Sequence, residues 1–407
     1  MIEKKTIAVI GGGAAGLMAC GTAAERAEKV ILIEKNKLPA KKVRITGKGR
    51  CNITNSADIE EIIENIPTNG KFLYSALYSF TNDDTVAFFE NLGVKTKVER
   101  GGRIFPVSDS AKDVAEALVR YAMKKNVKRV TAEACSIRQK DKKVIGVETT
   151  KGFIPCDSVI LATGGMSYPL TGSDGKGYKI AEKLGHTIVK PYPSLVPVET
   201  EEKWTCDLMG LSLKNVSLKL FTKKMIYEDF GEMIFTHFGI SGPIVLSASA
   251  HIKNADKVDY LIKIDLKPAL SEEQLDKRLQ RDFLEFKKKH FINSLDELLP
   301  KALIPVIIDL SGIEPHKETS SVTREERQRL CSLIKGLPLR VKRLRDIKEA
   351  IITSGGVKVG EIDPSTMQSK LIEGLYFAGE IIDTDAYTGG FNLQIAFSTG
   401  HLAGENA

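Results

Sequence analysis

The chain has 407 residues, 42% of them hydrophobic and 27% charged, an ordinary globular composition on a chain too long for one core, so two or three domains are expected. A net charge of +7, from 59 Lys and Arg against 52 Asp and Glu, is spread along the chain in short clusters (Lys41, Lys42 and Arg44; 287–289; 340–345) that read as solvated faces, which argues against nucleic acid as the main partner. Six scattered cysteines, Cys20, Cys51, Cys135, Cys156, Cys206 and Cys331, with no C-x-x-C pair and no histidines at ligand spacing, exclude structural zinc and fit a reduced, cytoplasmic protein.

Residues 6–10 form an apolar run that ends in glycines. A helix of small residues is expected over 14–27 and a second apolar run over 30–33, together a strand, helix, strand unit suited to a parallel sheet. The uncharged stretch 6–20 behind Lys4 and Lys5 has a superficial likeness to a secretory leader, but Gly11, Gly12, Gly13 and Gly16 interrupt it where a leader needs a continuous apolar core. No other apolar run is long enough for a spanning helix, so a soluble chain is expected. Helical spacing follows at 83–92 and 109–125, and strands are expected at 144–147 and 158–162, then a helix at 177–184. Alternation of strands and helices predicts an α/β fold.

From about Pro191 the texture changes. Val216, Leu218 and Leu220 alternate with Ser217 and Lys219, the period of a half-buried antiparallel sheet. Two capping boxes, Ser271 with Gln274 and Thr323 with Glu326, announce helices within the same region. The α/β texture returns with an apolar strand at 375–378 and a helix over 392–402. The expected architecture is a Rossmann-like domain built from both chain ends, 1–190 and 346–407, around an inserted domain, 191–345, whose helical part covers about 270–335.

Gly11, Gly13 and Gly16 spell G-x-G-x-x-G between a strand and a helix, with Glu34 closing the next strand. In that setting the glycines give a tight turn, close approach of backbone to a pyrophosphate, and helix-to-sheet contact, and Glu34 accepts ribose hydroxyls. The positive helix end, with Ala14 and Ala15, faces the pyrophosphate; Lys35, Lys42, Thr163 and Gly164 are further candidate contacts. NAD and FAD share this fingerprint. The far end of the chain separates them: Gly379 and Glu380 end a late strand where an acidic residue suits a ribityl hydroxyl. Gly390, Asn392, Leu393, Gln394 and Ile395 open a helix whose positive end suits the pyrimidine of an anionic reduced flavin.

These residues resemble the flavoproteins related to glutathione reductase and fumarate reductase and, more narrowly, the bacterial HI-0933-like (BaiN/YhiN) family. The matching segments are 11–16, Thr-Gly-Lys-Gly-Arg-Cys-Asn-Ile-Thr-Asn at 46–55, Phe-Thr-His-Phe-Gly-Ile-Ser-Gly-Pro at 235–243, Thr-Ser-Gly-Gly-Val at 353–357, and 376–396; residues 171–178 are similar to a turn of fumarate-reductase-type flavoproteins. The resemblance implies FAD, a β-barrel-like insertion with a small helical domain, and contacts to the cofactor from Thr46, Gly47, Gly49, Cys51, Asn52 and the backbone around Ala134. It also implies either reduction of conjugated double bonds, as in 3-oxo bile acid intermediates, or oxidation of aminoketones or amino acids.

Lys48, Arg50 and Asn52 offer donors to a flavin, whereas Cys51, with no second cysteine nearby, reads as a packed thiol rather than a redox one. His237 and Tyr387 are the candidate catalytic groups, Tyr387 as the acid that protonates a reduced alkene; Asp383 and Asp385 share its loop. No second nucleotide fingerprint occurs, so NAD(P)H, if used, docks transiently. The sequence leaves open a reductase using NAD(P)H, an oxidase using oxygen, and an RNA-modifying or RNA-binding flavoprotein; the oligomeric state is not legible.

Overall fold

Residues 6–10 lie within the strand Glu3–Ile10, which pairs in parallel with Ala27–Glu34 on one side and Ser158–Leu161 on the other. Val127–Thr131 extends the sheet beyond Ala27–Glu34, and Leu375–Phe377 extends it beyond Ser158–Leu161. The computed structural model describes residues 3–407. The chain divides into two compact units, Met1–Ser194 with Ile347–Ala407, and Leu195–Asp346. The strand Ile188–Ser194 pairs antiparallel with Ile352–Val357, which carries the first unit to Ser194, four residues past the proline-based boundary. Pro191 and Pro193 are tolerated there because a two-stranded ribbon leaves one edge of the strand unpaired.

The helix Ala14–Ala23 is buried at nine of its ten positions, so it carries no amphipathic stripe and its small residues admit neighbours on all sides. It ends at Ala23, four residues short of the predicted bound, because a turn over Ala24–Arg26 delivers the chain into the next strand. The predicted helix 109–125 is Ala111–Ala122. Asp109 has φ 51° and Met123 leaves helical angles, so the backbone, not the side-chain period, sets both ends. The last helix, Phe391–Asn406, packs on the first. A Cβ at Gly400 would lie 2.4 Å from the Ala15 carbonyl oxygen and one at Gly404 2.7 Å from that of Ala19. Leu375–Phe377 also joins the sheet edge, so both chain ends share one core.

A separate antiparallel sheet, Ala134–Lys140, Lys143–Thr149 and Gly152–Pro155, covers the expectation at 144–147. In the second unit, six strands close a barrel in the order Val198–Thr200, Gly239–Ser241, Met225–Thr236, Ser212–Phe221, Leu261–Asp265 and Leu337–Leu344. Val216, Leu218 and Leu220 are buried in its core. Both capping boxes form, at the starts of Glu272–Glu285 and Arg324–Lys335. Among the described residues no helix is long and apolar enough to cross a membrane.

His186 is buried in the first unit between Ser369 Oγ, 2.8 Å from Nε2, and Glu361 Oε2, 3.2 Å from Nδ1. Ser369 Oγ also accepts the N–H groups of Leu371 and Ile372, so this trio is a buried clamp on the loop before Leu375 rather than a nucleophile and base. Burial holds His186 below its ordinary value of 6.5 despite Glu361. The unfolded chain therefore binds the proton first as pH falls. The clamp's contribution is complete above 6.5 and declines below it, through the depressed folded value.

Two outcomes follow from these contacts. Gly400→Val forces a side chain into a backbone carbonyl and should cost about 3 kcal/mol, read as a lower midpoint in urea. The wild type should lose thermal stability as pH is lowered from neutral through 6 toward 5, and His186→Gln should flatten that decline; an unchanged slope would remove His186 as its source.

Candidate functional site: the dinucleotide cleft

Within the first unit, the carboxyl ends of the parallel strands open into a cleft with about 1390 Å³ of empty space, open solvent at its mouth included. Gly11 enters it at φ 104° and closer to its neighbours than any side chain allows: a Cβ there would meet the Ala162 carbonyl oxygen at 2.4 Å. At Gly13, by contrast, a Cβ would meet nothing within 4 Å, so backbone is bare on the cleft wall. The helix that follows has no side-chain cap, leaving its first N–H groups and its positive end for an anion. Glu34 fixes this turn. Its Oε2 accepts the Gly12 N–H at 2.6 Å and its Oε1 accepts Asn36 N and Nδ2 at 2.7 and 2.8 Å. Oε2 retains an acceptor position for a hydroxyl.

At Glu380 a second polar group converges. Lys42 Nζ donates to Glu380 Oε2 and to Ser167 Oγ, each at 2.6 Å; Ser167 Oγ donates to Glu380 Oε1 at 2.9 Å, and Thr353 N donates to the same oxygen at 3.0 Å. Thr353 Oγ1 in turn accepts the Met166 and Ser167 N–H groups. Lys42 thus has one of its three protons uncommitted among these bonds, and both Lys42 and Glu380 line the cleft. The last helix also begins here without a side-chain cap, behind Gly390 at φ 103°, with Asn392 and Leu393 on the wall. Two buried hydroxyls of the lining, Thr163 Oγ1 and Thr384 Oγ1, have no hydrogen-bond partner. A buried hydroxyl without a partner is costly unless a ligand supplies one.

Of the residues singled out from sequence, the cleft brings together Gly11, Gly13, Ala14, Ala15, Glu34, Lys35, Lys42, Thr46, Ala134, Thr163, Gly164, Glu380, Asn392, Leu393 and Ile395. Others serve the wall from behind. Gly16 and Gly379 are contact points, with Cβ positions 1.9 Å from Gly11 O and 2.7 Å from Ala15 Cβ. Gly390 lies against the backbone of Thr54. Gln394 is fully buried and engaged elsewhere: Oε1 accepts the Thr54 and Thr85 hydroxyls, and Nε2 donates to Phe80 O and Ser398 Oγ. The Asn392 side chain is likewise committed, to the backbone of Ala386 and Tyr387.

The loop 46–52 contributes only Thr46 to the lining. Gly47, Lys48, Gly49 and Cys51 all have positive φ, a coil of left-handed residues that turns the following side chains away. Arg50 is held by Glu99 and Asp109 and lies over the Phe105 ring at 4.2 Å. Cys51 is buried and its thiol is pushed up to about 12 by that burial, the state of an inert packing residue. Asn52 is outside the lining, with Oδ1 buried and unpartnered. Tyr387 is half-buried, its N–H donating to Asn65 O. Ser194 donates to Asp385 at 2.7 Å and Asn69 to Asp383 at 3.1 Å. His237 is exposed in the second unit, in the turn between Met225–Thr236 and Gly239–Ser241, its ring against Phe238. Among the described residues no group of acidic, His or Cys side chains is placed to hold a metal.

Asn36 also lines the cleft, outside every motif read from sequence, and Asp174, Lys176 and Thr384 line it within the segments 171–178 and 376–396, where no role was expected of these side chains. Asn36 follows the fingerprint acid by two positions, and the glycines around Asp174 mark a turn; those were the available signals. FAD fits the residues present: an open glycine turn, two uncapped helix ends on one cleft, an acceptor at Glu34 and orphaned hydroxyls at Thr163 and Thr384. The second positive helix end also discriminates, because it opposes an oxidised nicotinamide cation and suits an electron-rich ring.

The HI0933-like protein Rossmann domain model matches residues 5–406. The chain is 32% identical over 406 residues to the 3-dehydro-bile acid delta(4,6)-reductase of Clostridium scindens, covering 98% of both chains. It is 29% identical over 402 residues to the ribosomal RNA dihydrouridine synthase of Escherichia coli, covering 98% of this chain and 96% of that one. Among solved structures, the 3-ketosteroid delta1-dehydrogenase of Sterolibacterium denitrificans superposes with a TM-score of 0.51 at 13% identity, covering 98% of this chain and 99% of that one; the fold is shared. Gly11→Ala combines a forbidden φ with a clash against backbone, and the protein purified from it should be colourless, with flavin absorbance near 450 nm reduced about tenfold or more. Retention of stoichiometric flavin would contradict this account of the turn.

Proposed function

The chain belongs to the HI0933-like family of FAD-dependent oxidoreductases, and on that premise we propose that it reduces a carbon–carbon double bond conjugated to a carbonyl, with NAD(P)H as the electron source. The observation that carries the reading is the 32% identity to a 3-dehydro-bile acid delta(4,6)-reductase over 98% of both chains. The E. coli relative supports the same reaction type, since making dihydrouridine also saturates a double bond conjugated to a carbonyl. Bound FAD supplies the hydride that such a reduction needs.

The chain's own residues supply the rest. The positive end of Phe391–Asn406 stabilises negative charge at the end of the cleft where Asn392 and Leu393 lie. Lys42, paired with Glu380, keeps that end neutral in sum while offering a proton donor. Saturating the bond also needs a proton at the carbon next to the carbonyl, and Tyr387 is our candidate donor, on the loop that Asn392 holds through the carbonyls of Ala386 and Tyr387. NAD(P)H would dock transiently, as the chain has one dinucleotide fingerprint, at Gly11 to Gly16. We place the substrate class with bulky 3-oxo-diene acids of the steroid type.

A second reading, reduction of uridine in ribosomal RNA, is favoured by the E. coli relative and by the exposed lysines at 287–289. Under anaerobic conditions NADH or NADPH should bleach the flavin, and a 3-oxo-4,6-diene bile acid should restore the colour while gaining two hydrogens per bond reduced. A flavin that neither nicotinamide bleaches, with oxygen consumed in the presence of an amine or aminoketone, would replace the reductase by an oxidase. Colour restored by ribosomal RNA and not by the diene would select the second reading. Tyr387→Phe should slow substrate reduction about 10²-fold or more while flavin bleaching by NAD(P)H stays at the wild-type rate.

A further inference from the structure

We propose that residues 168–176 form a strap latched over one end of the dinucleotide cleft, and that its ionic latch, Lys35 with Asp174, governs how fast FAD is released. The proposal rests on the reading of the cleft as the FAD site. The loop after Glu34 and the segment 171–176 both line the cleft, and polar contacts join one to the other. Lys35 Nζ pairs with Asp174 Oδ2 at 2.9 Å, Lys41 Nζ donates to Leu170 O at 2.9 Å, and Asn36 Nδ2 donates to Thr171 O at 3.1 Å. Asn36 uses the other proton of the same amide on Glu34 Oε1, so one side chain ties the strap to the acid that fixes the glycine turn. Lys176 adds a pair with Glu133 at 2.5 Å.

The composition of the strap suits opening. Tyr168, Gly172 and Gly175 have φ of 50°, 118° and 77°, so left-handed residues bracket it where a hinge needs backbone freedom. Its backbone hydrogen bonds are mostly internal: Thr171 N to Tyr168 O, Gly172 N to Pro169 O and Asp174 N to Gly172 O, with Gly175 N to Gly165 O anchoring the far end. Leu170 at its tip is 91% exposed, so no apolar contact holds the tip down. At Gly172 the backbone has φ 118°, which disfavours any other residue, and a Cβ there would lie 2.7 Å from Asn36 Nδ2 and push that amide off its place. The strap is therefore closed by charges and single hydrogen bonds at the surface. Such contacts are individually weak and are screened by salt.

The test follows free-FAD fluorescence after dilution of the holoprotein at low and at high ionic strength, for wild type, Asp174→Asn, Lys35→Gln and the charge swap Lys35→Asp with Asp174→Lys. Wild-type release should quicken about three- to tenfold at high salt. Each single variant should release FAD at low salt about as fast as wild type does at high salt, and respond little to further salt. The swap should regain slow, salt-sensitive release. Equal release from wild type and both single variants at low salt, or a swap no slower than either, would overturn the latch while leaving the FAD site intact. A protein that neither carries nor takes up FAD would overturn the latch together with the reading beneath it.

Discussion

The contact between the first and last helices is the constraint on which the cofactor site depends. Gly400 and Gly404 sit one turn apart on Phe391–Asn406 and meet the backbone of Ala15 and Ala19, one turn apart on Ala14–Ala23. With no side chains between them the helices approach closely, and their uncapped N-termini reach the same cleft. Strand Leu375–Phe377 joins the parallel sheet in support of this arrangement, and Gly379 lies against Ala15. Backbone dipoles that packing places and solvent cannot reorient thereby add to the charged side chains of the cleft.

Around that frame, side chains mostly serve to hold the backbone still. Glu34 uses its carboxylate on Gly12 and Asn36, and Glu380 is fixed by Lys42, Ser167 and Thr353. Gln394 and Asn392 look in sequence like ligands at a helix start, but their amides tie that helix to Thr54, Phe80, Thr85 and the loop at Ala386. Of the cleft-lining hydroxyls left without partners, Thr163 Oγ1 and Thr384 Oγ1, sequence marked Thr163 and not Thr384. Polar groups that form the site and polar groups that await a ligand are different sets here, and only hydrogen-bond accounting separates them.

Much of the fold was legible because its signals are local. The run 6–10 followed by Gly11, Gly13 and Gly16 determined a strand, a turn and a helix without reference to the rest of the chain, and the two capping boxes at Ser271 and Thr323 marked helix starts to the residue. The period of two through Val216, Leu218 and Leu220 determined a half-buried strand. Closure into a six-stranded barrel was decided by pairings such as Val198 with Leu344, between residues too far apart in sequence for any local pattern to register.

The cofactor site divides along the same line. By itself the sequence determined the strand, glycine turn and helix at Gly11 to Glu34 and pointed to a dinucleotide there and a flavin at the far end, Gly379 to Ile395, since glycines and an acid at fixed spacing have a local backbone meaning. It could not determine where the loop 46–52 points. Four left-handed residues there turn Arg50 toward Glu99 and Asp109 and bury Cys51, and that path follows from packing. Nor could it show that Lys35, Asn36 and Lys41 reach Leu170, Thr171 and Asp174, because contacts between loops some 130 residues apart exist only once the sheet beneath has set the distance between them.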